Sequence, residues 1–278
     1  MTAADSARPV PAPESAPTPR WRRYVAVGDS FTEGLWDPTP GDEDRCRGWA
    51  DRLAEILDAR RGGDLEYANL AVRGRLLRPI LTEQVPAALR SEPDLVSVIG
   101  GGNDVLRPGS DVDLLADRLE STVARIRETG ADVLISTGVD TAESPVIKLT
   151  RSKTAIFNSH IWSIARRHDA YVLDLWGMRF LKDWRMWSED RIHLTPEGHR
   201  RMAQGALEAL GLVPDDPEWD TPLPPPDAEA WADRVRQNAQ WVREHAYPWV
   251  QRRVRHQSSG DSRVAKQPVP GAVRRSQD

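Results

Sequence analysis

Five times between residues 23 and 210, a short β-rich run gives way to a segment with apolar residues at helical spacing. Residues 24–27 precede residues 48–60, where Trp49, Leu53, Ile56 and Leu57 share a face and Gly62-Gly63 supplies the stop. Residues 65–70 precede a helix over 76–90 that is interrupted near Pro79 and Pro86. Leu95–Ile99 is a near-continuous apolar run, the signature of a parallel strand buried on both faces, and Val112, Leu115, Leu119, Val123 and Ile126 form the helical face after it. Residues 133–136 with 149–168, and Tyr171–Leu173 with 196–210, complete the series; Thr195 is placed to cap the last helix, with Pro196 at its first position. This alternation predicts an α/β fold: a three-layer α/β/α sandwich on a five-stranded parallel sheet. In such sheets ligands sit outside the carboxyl ends of the strands, so the residues just after each strand are the first candidates for chemistry.

The alternation spans residues 21–213. Residues 1–20, rich in Pro, Ala and Ser, lack the apolar surface that would offset ordering entropy, and disorder is expected there. Residues 214–226 read as a proline-rich linker. Trp231, Val235, Asn238, Val242, His245 and Trp249 mark one face of a C-terminal helix over 227–255, and residues 256–278 read as a disordered basic tail. Residues 252–278 hold seven basic and two acidic side chains; with a net charge of −4, the remainder carries −9, so no nucleic-acid partner is expected. No run approaches the roughly 18 apolar residues of a membrane helix. A single cysteine, Cys46, excludes an internal disulfide framework. With no charged and apolar leader at residues 1–20, the expected location is cytoplasmic.

Four short blocks fall where the fold would gather them. Gly28-Asp29-Ser30 follows the first strand, Gly74 the second and Gly101-Gly102-Asn103-Asp104 the third; Asp190-Arg191-Ile192-His193 lies in the loop before the last helix. A three-residue match alone means little; the order and placement of the four carry the reading. Together they supply what acyl transfer needs. Ser30 is a weak nucleophile until a base takes its proton, and His193 is a side chain able to do so near neutral pH. Asp190 can hold one imidazole N–H and fix the tautomer. The backbone N–H groups of Ser30 and Gly74 and the amide of Asn103 can serve as oxyanion donors.

These four blocks resemble those of the SGNH (GDSL-type) esterase and lipase superfamily, over about residues 23–212. The resemblance implies a flavodoxin-like sheet of order 2-1-3-4-5, with Ser30 as nucleophile, His193 as base, Asp190 as its orienter and an oxyanion hole from Ser30, Gly74 and Asn103. It also implies that Asp29 braces the nucleophile loop, and Asn158 resembles a residue common in the family. A small-molecule ester is the expected substrate, with no cofactor and no metal.

Several readings stay open on the sequence. Trp36, Trp176 and Trp187, and beside them Met178, Phe180 and Trp184, either line an acyl or leaving-group pocket or anchor loops and core. The helix over 227–255 either packs on the body or supports self-association. The same site could pass its acyl group to a sugar or alcohol instead of water. Asp29, Asn103, Asp190 and His193 could serve a metal phosphoesterase, and a flavodoxin-like binding module without catalysis is a further class. Neither Gly-x-x-x-x-Gly-Lys-Ser/Thr nor Gly-x-Gly-x-x-Gly, the usual phosphate-cradling loops, occurs.

Overall fold

The computed structural model describes residues 18–225 apart from 40, 143, 145 and 146, together with residue 260 and residues 263–274. The expected helix over 227–255 and nearly all of the expected N-terminal disorder lie outside these residues.

The five expected strands form: β1 (Arg23–Gly28), then β4 (Glu66–Asn69), β5 (Leu95–Ile99), β6 (Asp132–Ser136) and β7 (Tyr171–Leu173), with a short hairpin of β2 (Pro38–Thr39) and β3 (Asp42–Cys46) inserted after β1. The main sheet runs β7-β6-β5-β1-β4, all parallel, which is the expected order. A sixth strand, β8 (Gln267–Ala272), adds antiparallel to β4.

The strand pleat sorts side chains between two cores. On one face, Tyr24 and Ala26 of β1 pack with Trp49, Leu53 and Leu57 of α2 (Trp49–Arg61) and with Met202, Ala206 and Leu207 of α8 (Pro196–Ala209). On the other, Val25 and Val27 meet α6 (Val112–Glu128) through Leu119, Val123 and Ile126, and α7 (Arg151–His168) through Phe157, Ile161 and Ile164. Every residue of β5 is buried, as its apolar run requires. Local caps close the helix ends, at Thr195 and Gly62 as read from the sequence and at Asp111 in addition. Thr195 accepts from Gly198 N at the start of α8, Asp111 accepts from Asp113 N and Leu114 N at the start of α6, and Gly62 ends α2 at φ +83°. The interrupted segment 77–89 is helical throughout: α3 (Leu77–Pro79), a wider turn over Ile80–Gln84, then α4 (Val85–Leu89). The two prolines are thus accommodated without breaking it.

Two expectations about the C-terminal third are corrected. The segment 214–226 is no free linker in its described part. Trp219 is buried against Phe180 with ring centroids 6.1 Å apart, and Arg201 donates to the carbonyls of Trp219 and Thr221. Burying one indole outweighs the openness that the prolines suggest. Part of the basic tail is likewise ordered, as β8. Pro268 and Pro270 hide this strand from a pattern search, yet at a sheet edge a missing N–H is tolerated, and the strand covers the otherwise open edge of β4.

Candidate active site

β1 delivers the loop that carries Ser30. Its last residue, Gly28, lies so close to β5 that a Cβ there would stand 2.5 Å from Ile99 O and from Thr32 Oγ1, so only glycine fits. Gln84 clamps the same residue, accepting from Gly28 N at 2.8 Å and donating to Gly28 O at 3.0 Å. Asp29 then caps the four-residue helix α1 (Ser30–Glu33) by accepting from Phe31 N at 3.1 Å, and Ser30 opens that helix, buried. Asn69, at the end of β4, donates to Thr32 O at 2.9 Å.

His193 arrives on a loop that organises itself. Ser188 N donates to His193 O at 2.8 Å, closing the loop. Inside it, Asp190 Oδ1 accepts from Ser188 Oγ at 2.8 Å, Ile192 N at 2.9 Å and His193 N at 3.0 Å. Asp190 Oδ2 takes the His193 Nδ1–H at 2.6 Å and the indole N–H of Trp36 at 2.9 Å. Burial alone would raise the Asp190 pKa. The hydrogen bond and charge of His193, with the two backbone N–H groups, outweigh it and hold the carboxyl well below the usual carboxylate range. An ionised carboxylate on Nδ1 makes Nδ1 the protonated nitrogen, so Nε2 is the acceptor. Nε2 lies 2.8 Å from Ser30 Oγ, across 163 positions of sequence.

The oxyanion candidates sit on the same rim. Gly74 turns at φ +75°, a conformation that disfavours a side chain, and Glu33 holds the preceding residue by accepting from Arg73 N at 2.6 Å and Arg73 Nε at 2.8 Å. Neither Ser30 N–H nor Gly74 N–H meets an acceptor among the described residues. Asn103 Nδ2 donates to Asp29 Oδ2 and to Arg75 O, both at 3.1 Å. Asp29 is thereby tied to Asn103 as well as to α1. Burial, opposed by the bonds from Phe31 and Asn103 and by the charge of His193, pushes its pKa up to about 6.

Ser30, Gly74, Asn103, Asp190 and His193 all line one cleft of about 810 Å³, together with Asp29, Phe31, Trp36, Trp184 and Trp187. Trp36 and Trp187 thus stand in its wall. So does Trp184, whereas Trp176 does not, with the Arg151 guanidinium 5.4 Å from its ring centroid, and Met178 and Phe180 are buried in the core. Asn158 is not among the residues that line the cleft and closes a two-way amide bond with Gly138, at 2.7 and 3.0 Å. His199 is buried in the helix packing. It accepts from Trp49 N at 3.3 Å, and desolvation lowers its pKa to about 3, which keeps it neutral. Among the described residues no group of His, Cys, Asp and Glu is arranged to hold a metal ion, and no helix is long and apolar enough to cross a membrane.

Sequence reasoning missed three supports of this site. Ser188 stands two residues before Asp190, close enough in sequence for its hydroxyl to reach the carboxylate from within the same loop, so a local signal existed. Gln84 and Glu33 reach their partners from 56 and 40 positions away, and no local pattern marks them.

A family profile described as the GDSL-like lipase/acylhydrolase family matches residues 26–201, more than half of the chain and all four blocks. No curated protein shows significant similarity. Solved structures do. An alpha/beta hydrolase enzyme from the metagenome of Lake Arreo, Spain, is 23% identical, with 68% of this chain and 95% of that chain covered at a TM-score of 0.57. The acetylxylan esterase Axe2 of Geobacillus stearothermophilus is 19% identical over 70% of this chain and 97% of its own, at 0.58. The psychrotrophic esterase EstA of Pseudoalteromonas sp. is 17% identical over 68% and 97%, at 0.54. At these identities the likeness speaks to the fold. With the profile match spanning the site-bearing body, the chain belongs to the GDSL-like lipase/acylhydrolase family and is an ester hydrolase.

Proposed function

We propose that the chain cleaves a carboxylic ester through an acyl-enzyme formed on Ser30. The observation that carries this reading is His193, whose two ring nitrogens lie 2.8 Å from Ser30 Oγ and 2.6 Å from Asp190 Oδ2. Ser30 Oγ attacks the ester carbonyl as its proton passes to His193 Nε2, and Asp190 stabilises the imidazolium that forms. The tetrahedral oxyanion draws on the N–H groups of Ser30 and Gly74, which meet no acceptor among the described residues. Asn103 joins them by giving over one of its Nδ2 bonds, to Asp29 Oδ2 or to Arg75 O. His193 then returns the proton to the leaving alkoxide, the alcohol departs, and a water activated by the same nitrogen releases the acid and restores Ser30.

Phe31, Trp36, Trp184 and Trp187 in the cleft wall suit an apolar portion of the substrate, and the volume is that of a drug-sized ligand. Ser30→Ala tests the reading. Hydrolysis of a short p-nitrophenyl ester should fall by about four orders of magnitude or more, whereas undiminished turnover would contradict it. Product analysis with an added alcohol acceptor separates hydrolysis from acyl transfer.

A further inference from the structure

The tail expected to be disordered reaches the two loops that carry Ser30 and Gly74. Just before β8, Lys266 turns inward and is almost fully buried. Its ammonium donates to Glu33 O at 2.6 Å, Cys46 O at 2.8 Å and Asp51 Oδ2 at 2.5 Å, which uses all three of its N–H donors. Glu33 is the last residue of α1, the helix that Ser30 opens, so Lys266 closes the far end of the nucleophile turn. The same Glu33 carries Arg73 on its carboxylate, directly before Gly74. A second contact comes from Gly260. A Cβ built there would lie 2.0 Å from Arg73 O, so the tail backbone packs on that carbonyl. Arg73 C=O and Gly74 N–H belong to one rigid peptide plane, and fixing the oxygen fixes where the N–H points.

We propose that Lys266 is a positioning residue for acyl transfer, and that Lys266 and Gly260 together brace the nucleophile and oxyanion loops as one unit. This rests on the roles given above to Ser30 and Gly74. The brace touches neither substrate nor reacting atoms; it acts by holding the attacking oxygen and the Gly74 donor at their separation, where a misplacement of about 1 Å can lower the rate about 100-fold. Loss of the ammonium leaves Asp51 and two carbonyls without that donor, and the end of α1 relaxes.

The test uses the full chain, p-nitrophenyl acetate as substrate and melting curves recorded beside the kinetics. Lys266→Met should lower kcat about 10- to 100-fold with KM changed by less than about twofold, at temperatures well below its melting transition. Lys266→Cys should show the same loss, and alkylation with 2-bromoethylamine, which rebuilds an ammonium of nearly the same reach, should restore most of the kcat. The unmodified chain treated alike controls for Cys46. Gly260→Ala, with the lysine intact, should lower kcat in the same sense. A kcat within about twofold of the unmodified chain for both Lys266→Met and Gly260→Ala would overturn the proposal, as would a loss in Lys266→Cys that aminoethylation fails to reverse. If turnover of the unmodified chain survives Ser30→Ala, the assignment of Ser30 fails instead, and the brace loses its object.

Discussion

The two loops that meet at the cleft are held in opposite ways. The loop bearing His193 is built from its own residues. Asp190 collects Ser188 Oγ, Ile192 N, His193 N and His193 Nδ1–H from within six positions, and among the described residues Trp36 is its one distant donor. The loop bearing Ser30 is built from the rest of the chain: Gln84 on Gly28, Asn69 on Thr32, Asn103 on Asp29 and Lys266 on Glu33. His193 is therefore presented by a local turn, and Ser30 by the packing of the whole domain. A change inside the first loop should alter chemistry with little effect on folding, whereas a change at the supports of the second should alter both.

The largest effect tests whether the two loops act as one machine. Ser30→Ala and His193→Ala should each lower kcat by about four orders of magnitude or more, and the double variant should lose no more than either single. Additive losses would mean that the two side chains work separately. Asp190→Asn keeps the loop's shape but can present an N–H to Nδ1, which inverts the tautomer. A fall of about three to four orders in kcat, with the chain still cooperatively folded at the assay temperature, is expected, and a fall under tenfold would contradict the orienting role.

The supports should then separate by loop. Gln84→Leu leaves Gly28 N and O buried without that partner. A stability loss of about 2–3 kcal/mol should accompany a drop in kcat, read from denaturant unfolding and kinetics together. Trp36→Phe removes one of the five donors that Asp190 has among the described residues and should cost only a few-fold in kcat with no loss of stability. The reverse ranking would refute the contrast drawn above.

The smallest effect is one of pH. The raised pKa of Asp29 means that the folded state prefers the neutral carboxyl. That preference stabilises the fold below the unfolded value of 3.8 and is lost as pH rises through about 6. Asp29→Asn keeps a capping oxygen, removes the buried charge and forgoes one acceptor. At pH 8 it should be more stable than the unmodified chain by about 1–2 kcal/mol, with the gain gone at pH 4. A gain that grows on acidification would reverse the sign of this account.

The same contrast explains what could be read from the sequence. Asp190 and His193 were legible because three residues of spacing already place them together, and Ser30, Gly74 and Asn103 because each follows a recognisable strand. The five parallel strands announced themselves through alternation with helices at 3.6-residue spacing. What stayed hidden depends on contacts between distant segments. Gln84 looks like any polar helix residue, Lys266 like one cation in a basic tail, and β8 like a proline-rich end. Trp176 failed as a wall residue because its nearness in sequence to the last block says nothing of where its ring packs.

The central claim is that His193 activates Ser30 for attack on an acyl carbon. A fluorophosphonate probe followed by peptide mass analysis tests it most directly. The account predicts one adduct, on the peptide containing Ser30, formed rapidly by the unmodified chain and at a strongly reduced rate by His193→Ala. Labelling at another residue, or equal labelling rates with and without His193, would contradict it.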